Sequence, residues 1–295
     1  MFHITRCDNK DHRKIRQNTA ILPDGGELEY LTFPILEETG LVRHLFTTRL
    51  GGVSGHEFAT MNFSVDRGDS VSNVAANYER IAGVLGCSVS DMVASHQTHT
   101  TNIRKVTSED RGKGIVSPRD YENVDGLMTN ERGIVLVTYY ADCVPLFFVD
   151  VKNKAVGLAH SGWRGTAAGM GQHMVEAMKE NYGTAPEDLR VAIGPSICRD
   201  CYEVGEDVAV EFKSLQQKSI EQGNSAEIVL ANGAQPGKYQ LDLWLANRLV
   251  LERAGVCREN ISLPDICTCH NSAYLFSHRA SGGKRGTMGA FLGLA

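Results

Sequence analysis

Apolar positions recur along this chain with two periods, and the element type changes where one period gives way to the other. Val74, Tyr78, Ile81 and Leu85 fall at i, i+4, i+7 and i+11, one face of a helix, and Gly86 closes it. Val42 to Thr48 reads as a strand running into the turn Thr48-Arg49-Leu50-Gly51-Gly52, and Asn102 to Val106 as another strand. Ile134 to Tyr139, Pro145 to Val151 and Ala155 to Ala159 are dense in β-branched and aromatic residues. They read as consecutive strands, the last two joined by a tight turn from Asp150 to Lys154. Beyond His160 the period lengthens. Met170, Met174, Val175 and Met178 predict a helix from Thr166 to Tyr182, ended by Gly183. Thr184 and Glu187 have capping-box spacing ahead of a short helical turn. Arg190 to Ile193 reads as a strand and Gly205 to Leu215 as a helix. Leu241, Leu245, Leu249 and Glu252 predict a further helix before Gly255.

Strands come in runs and do not alternate strictly with helices, so the expected class is α+β with mixed sheets, not a doubly wound parallel fold. No repeat, low-complexity segment or Pro/Ser-rich linker interrupts the 295 residues, which points to one domain over 1–295. With 42% apolar and 22% charged residues, the chain can bury a core without staples. The formal net charge is -5, and the basic residues are scattered, densest from Lys10 to Arg16, with no aromatic stripe among them. That argues against a nucleic-acid partner. No apolar stretch approaches a membrane span, and Met1 to Lys14 has no secretory-type apolar run. The eight cysteines are therefore expected as reduced thiols, and the location as cytoplasmic.

Three residues carry the candidate chemistry: His99, Cys143 and His160, each beside a strand-like run. Two imidazoles and a thiolate make a catalytic zinc set with the fourth position open. His160 ends a strand and precedes Gly162 and Gly165, a strand-turn-helix form that suits an anion, with Arg164 in the turn. Cys143 follows Asp142 and lies seventeen positions before His160, so an antiparallel hairpin would bring the two together. Two chemistries then compete. Cys143 is a nucleophile with His160 as its base, or both bind zinc with a further histidine. A Cys–His hydrolase needs no second histidine, which favours the metal. Spacing alone does not separate His99 from His96 as that ligand.

Other patterns are weaker. Cys198-Arg199-Asp200-Cys201 has zinc-knuckle spacing and Cys267-Thr268-Cys269-His270 holds more thiols, but C-x2-C with C-x-C is a poor match to a structural zinc site. The deaminase signature, the P-loop and the dinucleotide fingerprint are absent. Ten histidines without a His-x-His pair argue against a multicopper oxidase.

The motifs Phe46-Thr47-Thr48-Arg49-x-Gly51-Gly52, Met61-Asn62-Phe63-Ser64, Gln97-Thr98-His99, Asp125-Gly126-Leu127-Met128-Thr129, Ala141-Asp142-Cys143-Val144-Pro145 and His160-Ser161-Gly162-Trp163-Arg164-Gly165 occur in that order. Ile193-Gly194-Pro195-Ser196-Ile197, Tyr202-Glu203-Val204, Cys267-Thr268 and Phe276-Ser277-His278-Arg279 follow. In these the chain resembles the bacterial laccase-domain family, once labelled polyphenol oxidases and now understood as purine nucleoside phosphorylases. The resemblance implies a four-layer α/β/β/α sandwich of mixed sheets, related to the catalytic domain of cytotoxic necrotizing factor toxins. It implies zinc ligands at His99, Cys143 and His160, choosing His99 over His96, and it accounts for Cys201 and Cys267 without a second metal. The implied activities are phosphorolysis of adenosine, inosine, guanosine and methylthioadenosine, and deamination of adenosine. The partners are then a purine nucleoside and phosphate, with the protein a monomer or weak homo-oligomer and no nucleic acid or membrane involved. Within that reading Cys143, His160 and Asp142 are the catalytic candidates. Arg49, Asn62, Arg164 and Arg279 are candidates for substrate or phosphate, and Asp125 for support of a ligand. The family's C-terminal Thr-Gly-Arg stands here as Arg285-Gly286-Thr287, so no role passes to Arg285. The alternatives are a Cys143–His160 hydrolase or deamidase and a copper-dependent phenol oxidase.

Overall fold

Two six-stranded mixed sheets, packed face to face, carry the architecture, and helices cover both outer faces. The computed structural model describes residues 2–7, 14–221 and 228–295, without the side chains of 218–220. Of the basic stretch Lys10 to Arg16, positions 10–13 lie outside the described residues.

The first half of the chain gives Arg16–Ile21 (β1), Glu27–Thr32 (β2), Pro34–Glu37 (α1), Val42–Thr47 (β3), Val71–Leu85 (α2), Met92–Ala94 (β4), Ile103–Lys105 (β5) and Gly126–Thr129 (β6). Val135–Tyr140 (β7), Val144–Asp150 (β8), Ala155–Ser161 (β9), Trp163–Ala167 (α3), Met170–Tyr182 (α4) and Leu189–Ile193 (β10) follow. The remainder gives Glu203–Gly205 (β11), Glu206–Glu221 (α5), Leu230–Asn232 (β12), Lys238–Leu241 (β13), Leu243–Arg253 (α6), Ile261–Ser262 (β14), His278–Ser281 (α7) and Met288–Leu294 (β15). The first sheet runs β1-β2-β3-β15-β7-β4 and the second β14-β10-β8-β9-β6-β5, while β11, β13 and β12 form a small third sheet.

Period-2 alternation explains the layering. Along β8, Pro145, Phe147 and Val149 alternate with Val144, Leu146 and Phe148; Phe147 and Val149 enter the core between the sheets, and the second set enters the core under α4, α5 and α6. Along β7, Leu136 and Tyr140 face the inter-sheet core, while Val135 and Val137 face α2. Strands buried on both faces read as continuous apolar runs, which is how these appear in the sequence. Helix α2 starts where the Ser70 side chain accepts from the Asn73 amide and stops at Gly86, whose φ of 64° is left-handed. Close packing of α4 on β9 depends on Gly157, where a Cβ would stand 2.8 Å from Met174 Sδ. Among the described residues no helix is long and apolar enough to cross a membrane.

Four expectations need correction. The helix expected from Thr166 to Tyr182 is two helices, α3 and α4, broken at Gly169, whose φ of 79° no right-handed helix accepts. Thr184 and Glu187 form no capping box: the short turn at Pro186–Asp188 is capped by Ala185 without a side-chain bond. Leu241 belongs to β13, and α6 starts at Leu243 behind the Asp242 cap. The runs read as consecutive strands do not all pair, because β7 lies in the first sheet and β8 and β9 in the second. The chain crosses between sheets at Ala141-Asp142-Cys143, and this crossing positions the site.

Candidate metal centre and substrate pocket

Each member of the expected trio comes from a place where the chain leaves a sheet. Pro145 pairs with His160 and Val144 with Ser161 in the β8–β9 ladder, so Cys143 enters the ladder's end beside Gly162. His99 sits on another crossing, between β4 of the first sheet and β5 of the second. The donor atoms of His99, Cys143 and His160 all lie within 4.8 Å of one another. The two imidazole rings stand 5.0 Å apart at 78°. Gly162 keeps the centre open: a Cβ there would stand 3.0 Å from Cys143 Sγ and 3.1 Å from His99 Cδ2.

Asp125, at the foot of β6, organises both histidines. Its Oδ1 lies 2.7 Å from His160 Nδ1 and accepts the His99 amide at 3.0 Å. Its Oδ2 accepts the amides of Thr98 at 2.9 Å and Thr100 at 3.0 Å, together with the Thr100 hydroxyl. Three successive N–H groups converging on one carboxylate hold His99 at a φ of 66°, a conformation a non-glycine residue adopts rarely. Donation from Nδ1 to a carboxylate fixes the His160 tautomer and leaves Nε2 to face Cys143.

The electrostatics of the cluster suit a cation. Burial pushes the Cys143 thiol up, but the charge and hydrogen bond of His160 and the bond from His99 bring it down to about 6. Burial pushes His160 down, and Cys143 and Asp125 overcome it, to about 9. Burial also opposes ionisation of Asp125, yet the His160 bond and the amides of Thr98 and Thr100 hold it down to about 2. A thiolate beside two imidazoles, one oriented by a carboxylate, is a donor set that fits zinc.

Asp142, next to Cys143, does not join the cluster. Its Oδ1 accepts the Thr268 hydroxyl at 2.6 Å and its Oδ2 the Arg279 amide at 2.8 Å, while its carbonyl accepts the Ile197 amide. Asp142 therefore fixes the crossing that presents Cys143.

A pocket of about 570 Å³ opens on the trio, between α2, the loop after Phe63 and the end of β7. Arg49, Asn62, Arg164 and Arg279 do not line it. Arg49 donates to the carbonyls of Ala59 and Ser272 and lies 4.6 Å over the Phe276 ring. Asn62 is buried, bonded to Asp69 and to the Ser64 carbonyl and Thr287 amide. Arg164 is exposed over Trp163, and Arg279 donates to the carbonyls of Cys201 and Glu203. The arginines that do line the pocket are Arg67, Arg119 and Arg285. Burial and the nearby Arg67 charge lower Arg285 to about 10, despite the opposing pull of Asp142 and Cys143. Arg285 lay in the one motif that departs from the family pattern, and Arg67 and Arg119 stand in no motif; only the tertiary fold brings them to the trio. His96 also lines the pocket, with its Nδ1 accepting the Asn123 amide at 3.2 Å.

A family model described as multi-copper polyphenol oxidoreductase laccase matches residues 43–295. The chain is 38% identical over 253 residues to "Purine nucleoside phosphorylase YlmD" of Bacillus subtilis, covering 84% of this chain and 87% of that protein. It is 37% identical over 262 residues to "Purine nucleoside phosphorylase" of Deinococcus radiodurans, covering 88% and 93%. Among solved structures, YlmD from Geobacillus stearothermophilus superposes with a TM-score of 0.81 at 37% identity, over 90% of this chain and 96% of that one.

Proposed function

This chain belongs to the family described as multi-copper polyphenol oxidoreductase laccase, and we propose that it is a purine nucleoside phosphorylase built around zinc at His99, Cys143 and His160. The substrates proposed are adenosine, inosine, guanosine and methylthioadenosine, with deamination of adenosine at the same site. The observation that carries this reading is a single pocket joining an open three-donor cluster to Arg67, Arg119 and Arg285. Relatives named purine nucleoside phosphorylase, matching over most of their length, support it.

Phosphorolysis passes through a sugar cation flanked by phosphate and the departing base, so the protein must deliver an anion on one side and a proton on the other. Arg285 and Arg67 repel each other across the pocket, and a phosphate between them removes that repulsion. His96 takes the other role. Its Nδ1 accepts a backbone amide, so the neutral ring carries its proton on Nε2, where it can donate to a purine nitrogen. Val74 and Tyr139 give the pocket an apolar wall for the base. Tyr139 is steadied by a 2.6 Å hydroxyl contact with Tyr78, and Gln97 is bonded through its amide to both the N–H and the carbonyl of Tyr139. Orientation of two reactants this way is worth ~7–11 kcal/mol in favourable cases.

Bound at the trio, zinc would polarise a phosphate or substrate oxygen and lower the pKa of a water for attack at purine C6. Two imidazoles and one thiolate, with one ring oriented by a carboxylate, are the donor set of a catalytic zinc site. Zinc is therefore the proposed metal.

A second reading has one observation in its favour. The Cys143 thiol, brought down to about 6 beside a His160 raised to about 9, is the pairing of a cysteine hydrolase. It leaves His99 and the arginines without a task. Incubation with inosine, with and without phosphate, separates the two. Ribose 1-phosphate and hypoxanthine formed only with phosphate are expected; no turnover in either condition would refute the phosphorylase.

A further inference from the structure

Behind the Asp142 crossing, outside the pocket, two loops bring a second set of soft donors together. One follows β10 and holds Cys198 and Cys201; the other, between β14 and α7, holds Cys267 and His270. We propose that Cys198, Cys201, Cys267 and His270 form a second, structural zinc site.

The spacing is the first argument. Cys198-x-x-Cys201 and Cys267-x-x-His270 are two i, i+3 pairs, each wrapped around a tight turn. In the first, the Cys201 amide donates to the Cys198 carbonyl at 3.2 Å; in the second, the Asn271 amide donates to the Cys267 carbonyl at 3.1 Å. Reading Cys267 with Cys269 hides this pattern, whereas reading it with His270 gives the C-x2-C and C-x2-H knuckles of a Cys3His site.

Geometry is the second. The four donor atoms all lie within 4.8 Å of one another, with His270 Nδ1 3.9 Å from Cys198 Sγ. Ligand atoms around a tetrahedral zinc, with bonds of about 2.0–2.3 Å, stand roughly 3.5–3.8 Å apart. The loops are already joined: Ser196 and Cys267 form a bridge, the Thr268 amide donates to the Ser196 carbonyl, and the Cys198 amide donates to Cys267 Sγ at 3.3 Å. An N–H aimed at sulfur favours the thiolate that a metal requires. Cys198 and Cys267 are buried and Cys201 is half-buried, while His270 at the surface closes the set from outside. All eight cysteines are free thiols, so no disulfide uses these sulfurs.

Four protein donors leave no open position, which makes the site structural. Its place in the fold gives it something to hold. Thr268, next to Cys267, bonds Asp142 Oδ1, and Ile197, next to Cys198, bonds the Asp142 carbonyl. The second zinc thus braces, from behind, the crossing that carries Cys143. The competitor for the fourth position is Cys7, whose Sγ lies 3.8 Å from His270 Nδ1.

The test is metal content by elemental analysis of protein purified under reducing conditions from zinc-supplemented cells. Two zinc per chain are expected in the wild type, and one each in Cys143→Ser and Cys201→Ser. Cobalt(II) loaded into Cys143→Ser should give intense thiolate-to-metal absorption with four-coordinate visible bands, which weaken and shift in the double variant with His270→Ala. One zinc in the wild type and none in Cys143→Ser overturns the proposal, even if Cys201→Ser fails to fold. Cobalt bands that ignore His270→Ala but vanish with Cys7→Ser overturn the assignment of His270.

Discussion

Asp125 Oδ1 stands 2.7 Å from His160 Nδ1, and the same carboxylate accepts the amides of Thr98, His99 and Thr100. One buried side chain thus sets the ring of one proposed ligand and the backbone of another, and through them the shape of the metal centre.

Replacing it should expose that dependence. Asp125→Asn puts an NH2 group where amide donors now converge and cannot serve His160 and the loop together. Zinc affinity at the trio should fall by about 10–100-fold, measured by competition with a chromogenic chelator. Unchanged affinity would show that Asp125 does not orient the ligands.

Gly162→Ala tests the open space directly. Gly162 has a φ of -67°, so alanine costs nothing in backbone conformation, but its Cβ meets Cys143 Sγ at 3.0 Å and His99 Cδ2 at 3.1 Å. The variant should keep its circular dichroism and melting cooperativity while losing zinc from the trio. Full zinc retention would mean that the centre is looser than the geometry requires.

Arg285→Ala and Arg67→Ala address the phosphate site. A charged hydrogen bond is worth about 1.5–3 kcal/mol, so each should raise the KM for phosphate by roughly 10–100-fold with a smaller change in the KM for inosine. Arg49→Ala and Arg279→Ala, whose guanidinium groups hold backbone carbonyls, should instead lower thermal stability. The reverse pattern would return the phosphate role to Arg49 and Arg279.

His44 gives a pH dependence of stability. It is buried, accepts the Phe33 amide through Nε2 at 2.9 Å, and burial lowers it to about 4. The unfolded chain binds this proton near pH 6.5 and the folded chain only near pH 4. Stability is therefore full above the unfolded value and is lost as pH falls between the two. From pH 7 to pH 5 the loss is about 2 kcal/mol, read as a drop in urea midpoint. His44→Gln should flatten the slope; an identical slope would assign it to other groups.

How much of this could be read in the sequence follows from which interactions are local. The Cys143–His160 approach was legible, because a tight turn between two apolar runs fixes the β8–β9 register. The position of β7 was not, since its apolar run looks the same in either sheet, and only its pairing with the distant strands β15 and β4 places it in the first. Strand β15, central to that sheet, carries glycines at 289 and 293 that mask its alternation. His99 was separable from His96 only through resemblance, because the loop that presents it is shaped by a carboxylate 26 positions away. Arg67, Arg119 and Arg285 escaped for the same reason: a pocket wall drawn from distant loops leaves no spacing to count.

The central claim is tested most directly by inosine phosphorolysis in protein stripped of metal and then reloaded with zinc, with Cys143→Ser alongside. The account predicts no ribose 1-phosphate from stripped enzyme, recovery on zinc addition, and none from Cys143→Ser in either state. Undiminished phosphorolysis by stripped enzyme or by Cys143→Ser would contradict it.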